Sequence, residues 1–297
     1  RNTINKKLFR FMIKKNIRII PRLDIKGTNL VKGIHLEGLR VLGDPEYFAH
    51  EYYKMGADEL IYQDVVASLY QRNSILDQIN KVNKKVFIPL SVGGGIRRIT
   101  DIKKILSAGA DKVVINTAAI KDPDFITNAA RIFGSSTIVI SIEVSKERDG
   151  NYYAFTDNGR ERTGKNAFAW AKEVEKRHAG EILLTSVDRD GTGTGFDENL
   201  VKKIAHDSKI PIIAHGGASN NKDIIDIFKN TKSSAVAISS MLHYSLMNKD
   251  KKKQLLYKDT GNLNFIKSRK TFKNFGSHNM TSIKNSMKKN SFYSREI

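Results

Sequence analysis

Short apolar runs rich in Val, Ile and Leu alternate with amphipathic stretches along most of the chain. Several of these runs are almost continuously hydrophobic, which is typical of parallel strands buried on both faces of a sheet. The predicted strands are Arg18–Asp24, Glu59–Asp64, Phe87–Val92, Lys112–Asn116, Thr137–Glu143, Glu181–Ser186, Ile210–His215 and Ala235–Ser239. Helical patterns separate them. Eight strand-then-helix units in about 250 residues favour a closed (β/α)8 TIM barrel over an open sheet.

The two halves of this pattern repeat each other. Residues 92–95 (VGGG) match residues 214–217 (AHGG), and each segment precedes a helical pattern and then another strand. Gly94 and Gly216 are 122 residues apart, as are Glu59 and Glu181. An offset that stays constant over several elements predicts that the barrel consists of two duplicated half-barrels.

Three segments interrupt the regular alternation. Gly27–Gly43 is a long connection after the first strand, and Arg148–Thr163 after the fifth strand has the turn signals of a hairpin. The third, Asn248–His278, is a Lys/Asn-rich insertion or loose tail ahead of a helical pattern at Ser282–Lys289. We predict a basic N-terminal extension at 1–17, the barrel at 18–245, and a basic insertion or tail with the last helix at 246–297.

The net charge of +20 is concentrated at the two ends of the chain. Residues 1–18 carry +7 and residues 246–297 carry +10, which leaves only +3 for the barrel segment. Such ends are typical of either a solvated basic fringe or an anion-binding tail. Because no nucleic-acid-binding motif or membrane-length apolar run accompanies them, we expect neither nucleic acid nor a membrane as partner. No secretory signal pattern follows the basic N-terminus, and we expect a cytoplasmic protein.

Glycine-rich segments follow strands of both halves at the rim where barrels keep their chemistry. Glycines let backbone N–H groups approach an anion, and a helix N-terminus adds favourable partial charge. The first glycine site, as we call it, comprises Gly94, Gly95, Asn116 and Thr117. The second glycine site comprises Asp190, Gly191, Gly216, Gly217, Ser239 and Ser240. A single glycine triplet often only makes a tight turn, but two at equivalent places predict a substrate with two phosphates.

Two carboxylates end opposed strands of the predicted barrel, Asp24 on the first and Glu143 on the fifth. Paired carboxylates that flank a substrate are suited to act as general acid and general base. The alternative is that each one only orders a loop by pairing with a lysine such as Lys26 or Lys32. Lys32 itself, in the long connection after the first strand, either closes over a phosphate or is a solvated lysine.

A second charged group falls at the opposite end of the strands. Its members start the first, second, fourth and sixth predicted strands and are Arg18, Glu59, Lys112 and Glu181. Two bases and two acids placed in this way are expected to meet in a ring at the N-terminal mouth of the barrel. Because unpaired charges inside a barrel are costly, the ring is either a stabilising plug or a functional gate.

The chain contains no cysteine, which excludes disulfides, thiolate metal sites and a cysteine nucleophile. No group of His, Asp and Glu has the spacing of metal ligands, and no dinucleotide-binding fingerprint occurs. We therefore expect no metal and no cofactor. His215 lies directly before the second glycine pair, where a lone histidine is more often structural.

Dense motifs cover residues 18–244 and resemble one enzyme family. They include 18–20 (RII), 31–33 (VKG), 43–45 (GDP), 92–96 (VGGGI), 115–119 (INTAA) and 188–192 (DRDGT). These residues resemble the cyclase subunit of imidazole glycerol phosphate synthase, the HisF type. The resemblance implies that ammonia from a separate glutaminase subunit crosses the barrel and reacts at the rim. There it converts a substrate with two phosphates into imidazole glycerol phosphate and an aminoimidazole carboxamide nucleotide, a step of histidine biosynthesis.

The resemblance also assigns roles to individual residues. Asp24 matches the first catalytic aspartate, and the ring of Arg18, Glu59, Lys112 and Glu181 matches the gate that faces the glutaminase. Because this chain has no cysteine, a cysteine-dependent glutaminase activity has to reside on a partner subunit.

Several positions depart from the family pattern. Glu143 replaces the second catalytic aspartate and is one methylene longer, while Arg22 and His215 replace small residues. These departures resemble a paralogous branch in which the barrel delivers ammonia to a sugar amidotransferase in surface-polysaccharide synthesis. Both interpretations predict the same fold and the same kind of partner.

Overall fold

A computed structural model of the chain describes residues 16–66, 74–249, 275 and 278–295. Residues 1–15 of the predicted N-terminal extension and most of Asn248–His278 lie outside the described residues. The strands are β1 Arg18–Lys26, β2 Asn29–Ile34, β3 Glu37–Gly43, β4 Leu60–Asp64, β5 Leu90–Gly93, β6 Lys112–Ile115, β7 Ile138–Lys146, β8 Tyr152–Thr156, β9 Glu161–Asn166, β10 Glu181–Ser186, β11 Ile212–His215 and β12 Ala235–Ile238. The α-helices are α1 Pro45–Lys54, α2 Ser74–Val82, α3 Ile99–Ser107, α4 Thr117–Lys121, α5 Asp124–Phe133, α6 Ala167–Lys176, α7 Glu198–Asp207, α8 Asn221–Asn230, α9 Ser240–Lys249 and α10 Met280–Lys289.

Eight parallel strands close into a barrel. Their order around it is β1, β4, β5, β6, β7, β10, β11 and β12, and β12 pairs with β1 again. Helices alternate with these strands along the chain, so the prediction of a (β/α)8 barrel is confirmed.

The two halves share an additional feature at the rim. The first strand of each half, β1 or β7, is nine residues long and continues beyond the barrel into an antiparallel hairpin. The hairpin of the first half is β2–β3, and that of the second half is β8–β9. The long connection predicted after the first strand is therefore a hairpin, like the one predicted after the fifth.

Two prolines explain why two barrel strands are shorter than the sequence pattern predicts. The predictions Phe87–Val92 and Ile210–His215 begin too early, because β5 starts just after Pro89 and β11 just after Pro211. A proline has no N–H to donate to a sheet. The carbonyl groups of both prolines still accept backbone hydrogen bonds. Pro89 accepts from Leu60 N at 2.9 Å, and Pro211 accepts from Ile182 N at 3.0 Å.

The C-terminal helix α10 packs on the outside of the barrel. It buries Met280, Ile283 and Met287, and the Asn221 amide at the start of α8 donates to the Ser286 hydroxyl at 3.0 Å. Beyond the helix, Tyr293 accepts a backbone hydrogen bond from Ile17 at 2.9 Å, so both described ends meet beside β1.

An apolar layer fills the middle of the barrel. It consists of the inward-facing side chains Ile20, Ile61, Val114, Val139, Leu183, Ile213, Ala235 and Ala237. Polar side chains lie above and below this layer, at the two mouths. Along the part of the chain that the structure describes, no helix is long and apolar enough to cross a membrane.

Candidate active site at the barrel rim

A cavity of about 400 Å³ opens at the C-terminal rim, beside β4, β5, β6 and β7. Glu143 lines it together with all four residues of the first glycine site. The structure therefore brings these predicted residues together. Arg97 and Lys121 add two positive side chains to the same wall, and Asp64, Asp122 and Asp157 add negative ones.

Gly94 and Gly216 occupy equivalent positions with the same backbone shape. Their φ angles are +104° and +99°, a region that L side chains rarely adopt. A Cβ on Gly94 would lie 2.2 Å from the Asp64 carbonyl oxygen, and one on Gly216 would lie 2.6 Å from that of Ser186. Both positions thus require glycine because the backbone of the preceding strand is in contact with them.

The second glycine site, by contrast, encloses almost no free volume. Its cavity measures about 10 Å³ and is lined by all six predicted residues, as well as by His215 and Phe275. A space of this size holds at most about one water molecule. The Ser239 hydroxyl, expected to bind a phosphate, donates instead to the Arg22 carbonyl oxygen at 2.9 Å.

A buried charge cluster fills the rim beside this second site. Arg22 Nε donates to Asp24 at 2.9 Å, and Lys32 Nζ donates to Asp24 at 3.2 Å and to Asp190 at 2.8 Å. His215 Nδ1 lies 3.1 Å from Arg22 Nη1. All five side chains are at least 97% buried. Asp24 pairs with Lys32, as the loop-ordering alternative expected.

The protonation states of this cluster follow from its pairing. Burial by itself would raise the pKa of Asp24, but the positive charges of Arg22 and Lys32 outweigh it and lower that pKa. Burial likewise opposes the charge on Lys32, and the carboxylates of Asp190 and Asp24 raise its pKa. Burial and the neighbouring cations Arg22 and Lys32 lower the pKa of His215 well below its usual range. Arg22 and Lys32 are therefore positive, Asp24 is negative and His215 is neutral.

Glu143 has a different environment from Asp24. Burial raises its pKa to about 7, against the charge of Arg22 and a hydrogen bond from the Gly159 N–H at 2.7 Å. A carboxyl group with a pKa near neutrality exchanges protons readily at physiological pH. Of the two predicted catalytic carboxyls, Glu143 is the one that faces the open cavity.

The four charged residues predicted at the opposite mouth form a closed network of ion pairs. Glu59 accepts from Arg18 at 2.8 Å and from Lys112 at 3.0 Å, and the Ser91 hydroxyl donates to it at 2.6 Å. Glu181 pairs with the same two cations. Arg18 and Lys112 retain about a quarter of their side-chain surface in solvent, at 28% and 21%. The ring lies directly below the apolar layer of the barrel.

Two placements differ from the expectations for individual residues. Lys32 does not lie in a loop but inside β2, where only 1% of it is exposed, so it is not a solvated lysine. Thr117 accepts a hydrogen bond from Asp157 N at 3.3 Å, which ties the first glycine site to the β8–β9 hairpin.

Sequence reasoning missed the part that Arg22, Thr185 and Gly159 play in the site. Arg22 follows Arg18 and Ile20 at a spacing of two along β1, so strand periodicity alone places it inside the barrel. The Thr185 hydroxyl lies 3.2 Å from His215 Nδ1. Gly159 acts through its backbone N–H, for which the sequence carries no signal.

Across the described residues no group of His, Asp and Glu is arranged to hold a metal ion.

Comparisons with known proteins agree with this architecture. Residues 18–248 match the profile of the family described as "Histidine biosynthesis protein". The chain is 54% identical over 202 residues to the imidazole glycerol phosphate synthase subunit HisF of Legionella pneumophila, an alignment that covers 68% of this chain and 95% of the relative. It is 43% identical to the HisF subunits of Alkaliphilus metalliredigens (81% of this chain, 95% of the relative) and Streptococcus mutans (78% and 92%). The chain therefore belongs to the histidine biosynthesis protein family that includes these HisF subunits.

Proposed function

We propose that this chain is the ammonia-using cyclase subunit of an imidazole glycerol phosphate synthase, an enzyme of histidine biosynthesis with lyase activity. The observation that carries the proposal is that the two mouths of the same barrel hold different groups of residues. A charged ring lies at its N-terminal mouth, and a cavity with a glycine site and a buried carboxyl lies at the other. The HisF subunits to which the chain is similar carry the name of that synthase.

The layers of the barrel suit the passage of ammonia. Neutral ammonia is small and loses little free energy of hydration when it crosses an apolar layer, whereas charged ammonium would lose much more there. The ring of Arg18, Glu59, Lys112 and Glu181 is the proposed gate on the side of a glutaminase partner. Because the chain has no cysteine, a cysteine-dependent glutaminase is a separate subunit.

At the rim, Glu143 is the proposed acid and base. A phosphorylated substrate in the first glycine site lies in the same cavity as this carboxyl. With a pKa of about 7, Glu143 is able to take a proton from the attacking ammonia nitrogen and to return one during ring closure. Asp24 remains the proposed second catalytic carboxylate. Its ion pairs with Arg22 and Lys32 keep it charged.

A second candidate function is favoured by the buried charge cluster. In this alternative the barrel conducts ammonia to a sugar amidotransferase and has little cyclase chemistry. Both carboxylate oxygens of Asp24 are engaged in buried ion pairs, and the second glycine site encloses only about 10 Å³. A standard cyclase that acts on a substrate with two phosphates needs instead a carboxylate that is free to react and a second site that is open.

The nitrogen source separates the proposed function from its alternatives. The purified chain is supplied with the bisphosphorylated histidine-pathway intermediate and either an ammonium salt or glutamine. We expect product with ammonium, none with glutamine, and glutamine-driven product once a glutaminase subunit is added. If ammonium gives no product while anion binding at the first glycine site is intact, the cyclase proposal is wrong and the ammonia-conducting role is supported.

A further inference from the structure

The two halves of the rim are equivalent in backbone but not in side chains. Arg22 and Ser141 are 119 residues apart, the same offset as Asp24 and Glu143. His215 and Gly93 are 122 residues apart, the same offset as Gly216 and Gly94. The side of the rim with the small residues Ser141 and Gly93 has the open cavity of about 400 Å³. The side with Arg22 and His215 has one of about 10 Å³.

His215 occupies part of the second glycine site. It lines that small cavity, and its Nε2 is 3.5 Å from the Ser239 hydroxyl while its Nδ1 faces Arg22. Only 3% of the residue is exposed. Phe275 lines the same cavity and stacks on Tyr244, with ring centroids 5.6 Å apart. Anion binding there requires at least the imidazole to move.

The charges beside the second glycine site disfavour anion binding, as its small volume does. Beside the second site, Arg22 and Lys32 are matched by Asp24 and Asp190, so the buried cluster has no net charge to attract an anion. To bind a phosphate with Arg22 or Lys32 would leave a carboxylate buried without its partner, which is costly. The first site differs in burial, because its two cations Arg97 and Lys121 are exposed, although Asp64, Asp122 and Asp157 lie on the same wall.

We infer that the ligand-free barrel has one working phosphate site, the first glycine site, and that His215 keeps the second closed. A ligand with two phosphates then binds in two stages, and the second stage follows only after the imidazole has left the second site. This inference deepens the proposed function and uses its assignment of the rim as the substrate site. It makes His215 a residue that determines ligand specificity, whereas the sequence alone indicated a structural histidine.

Inorganic sulfate is a suitable probe because its charge is constant near neutral pH. In the full chain, backbone amide resonances of Gly94 and Gly95 report on the first site, and those of Gly216 and Gly217 on the second. We expect saturable shifts at the first pair only. In His215→Ser we expect both pairs to saturate, with affinities within about tenfold of each other, which is about 1.4 kcal/mol. His215→Asn, which keeps a hydrogen-bonding group beside Arg22, serves if His215→Ser does not fold.

Matched controls and outcomes keep the test decisive. His206→Ser changes an exposed histidine on α7 and is expected to bind sulfate like the unmutated chain. Saturation of both glycine pairs in the unmutated chain would overturn the inference, as would a lack of response at the first pair. A second site that stays silent in both His215 variants would show that His215 does not close it. None of these results depends on turnover, so failure of the cyclase assay is a separate outcome.

Discussion

Glu143 and Asp24 hold matching places in the two halves of the barrel, but their chemical states differ because of their neighbours. Asp24 has two cationic partners and remains charged. Glu143 accepts from a backbone N–H and faces a cavity, and among the described residues no lysine or arginine forms an ion pair with it. The change from aspartate to glutamate does not explain this difference. Burial raises the pKa of both carboxyls, and the charges of their partners make the two pKa values differ.

Replacing Glu143 by Gln is expected to stabilise the protein at alkaline pH. The pKa of Glu143 is raised to about 7 in the folded chain, so the folded state holds its proton more tightly than the unfolded one, and stability is lost as pH rises from about 4.5 to 7. We expect Glu143→Gln to raise the free energy of unfolding by about 2–3 kcal/mol at pH 8 and to leave it unchanged near pH 4.5. Urea unfolding at both pH values measures this, with the exposed Glu161→Gln as control.

A gain of equal size at both pH values would show that the carboxyl does not titrate differently on folding. The Gln amide oxygen is able to keep the hydrogen bond from Gly159, so the comparison isolates the charge.

Asp24→Asn is expected to have the opposite effect on stability. It leaves Arg22 buried without its carboxylate partner and removes one of the two partners of Lys32. Removing one member of a buried ion pair costs about 3–5 kcal/mol. We expect the free energy of unfolding at pH 7 to fall by about that amount, measured by urea unfolding. Asp124→Asn, whose side chain is 79% exposed, should change it by less than about 0.5 kcal/mol. If the two variants have equal stability, the buried cluster is not paired as described.

At the scale of elements, the sequence predicted the eight barrel strands and the hairpin after β7, because continuous apolar runs and turn residues are local signals. It did not predict that β1 continues into β2 and β3, since Gly27–Gly43 contains no continuous apolar run. The closed second site was also beyond the sequence. Arg22 and His215 are 193 residues apart, and only barrel closure brings them to 3.1 Å. The four charges at the N-terminal mouth could be grouped because each starts a strand.

The C-terminal helix α10 is expected to contribute to the stability of the whole barrel. Ile283 is fully buried against the barrel wall, at 0% exposed. Truncating a buried isoleucine to alanine costs about 2–5 kcal/mol through lost burial and a residual cavity. We expect Ile283→Ala to unfold in one transition with the barrel, at a lower urea concentration. Lys289→Ala at the exposed end of the same helix is the control. A separate early transition for Ile283→Ala would instead mean that α10 folds independently of the barrel.

At the scale of the whole molecule, the barrel is a two-fold scaffold whose rim differs from one side to the other. The side beside β4, β5, β6 and β7 has an open cavity with Glu143, whose pKa is raised to about 7, and the side beside β10, β11, β12 and β1 has the buried cluster of paired charges. The ring at the N-terminal mouth and the apolar layer lie on the shared axis between them. Chemistry in this account is therefore placed beside β7 and β6 rather than symmetrically across the rim.

The most direct test is the rate of ammonium-driven product formation as a function of pH in the unmutated chain and in Glu143→Gln. Both proteins experience the same change in free ammonia, so their rate ratio isolates the carboxyl. We expect Glu143→Gln to lose about 100-fold or more in kcat, as for loss of a general acid or base, and the ratio to change around pH 7. Equal rates with a constant ratio across this pH range would contradict the assignment of the reaction to the Glu143 cavity.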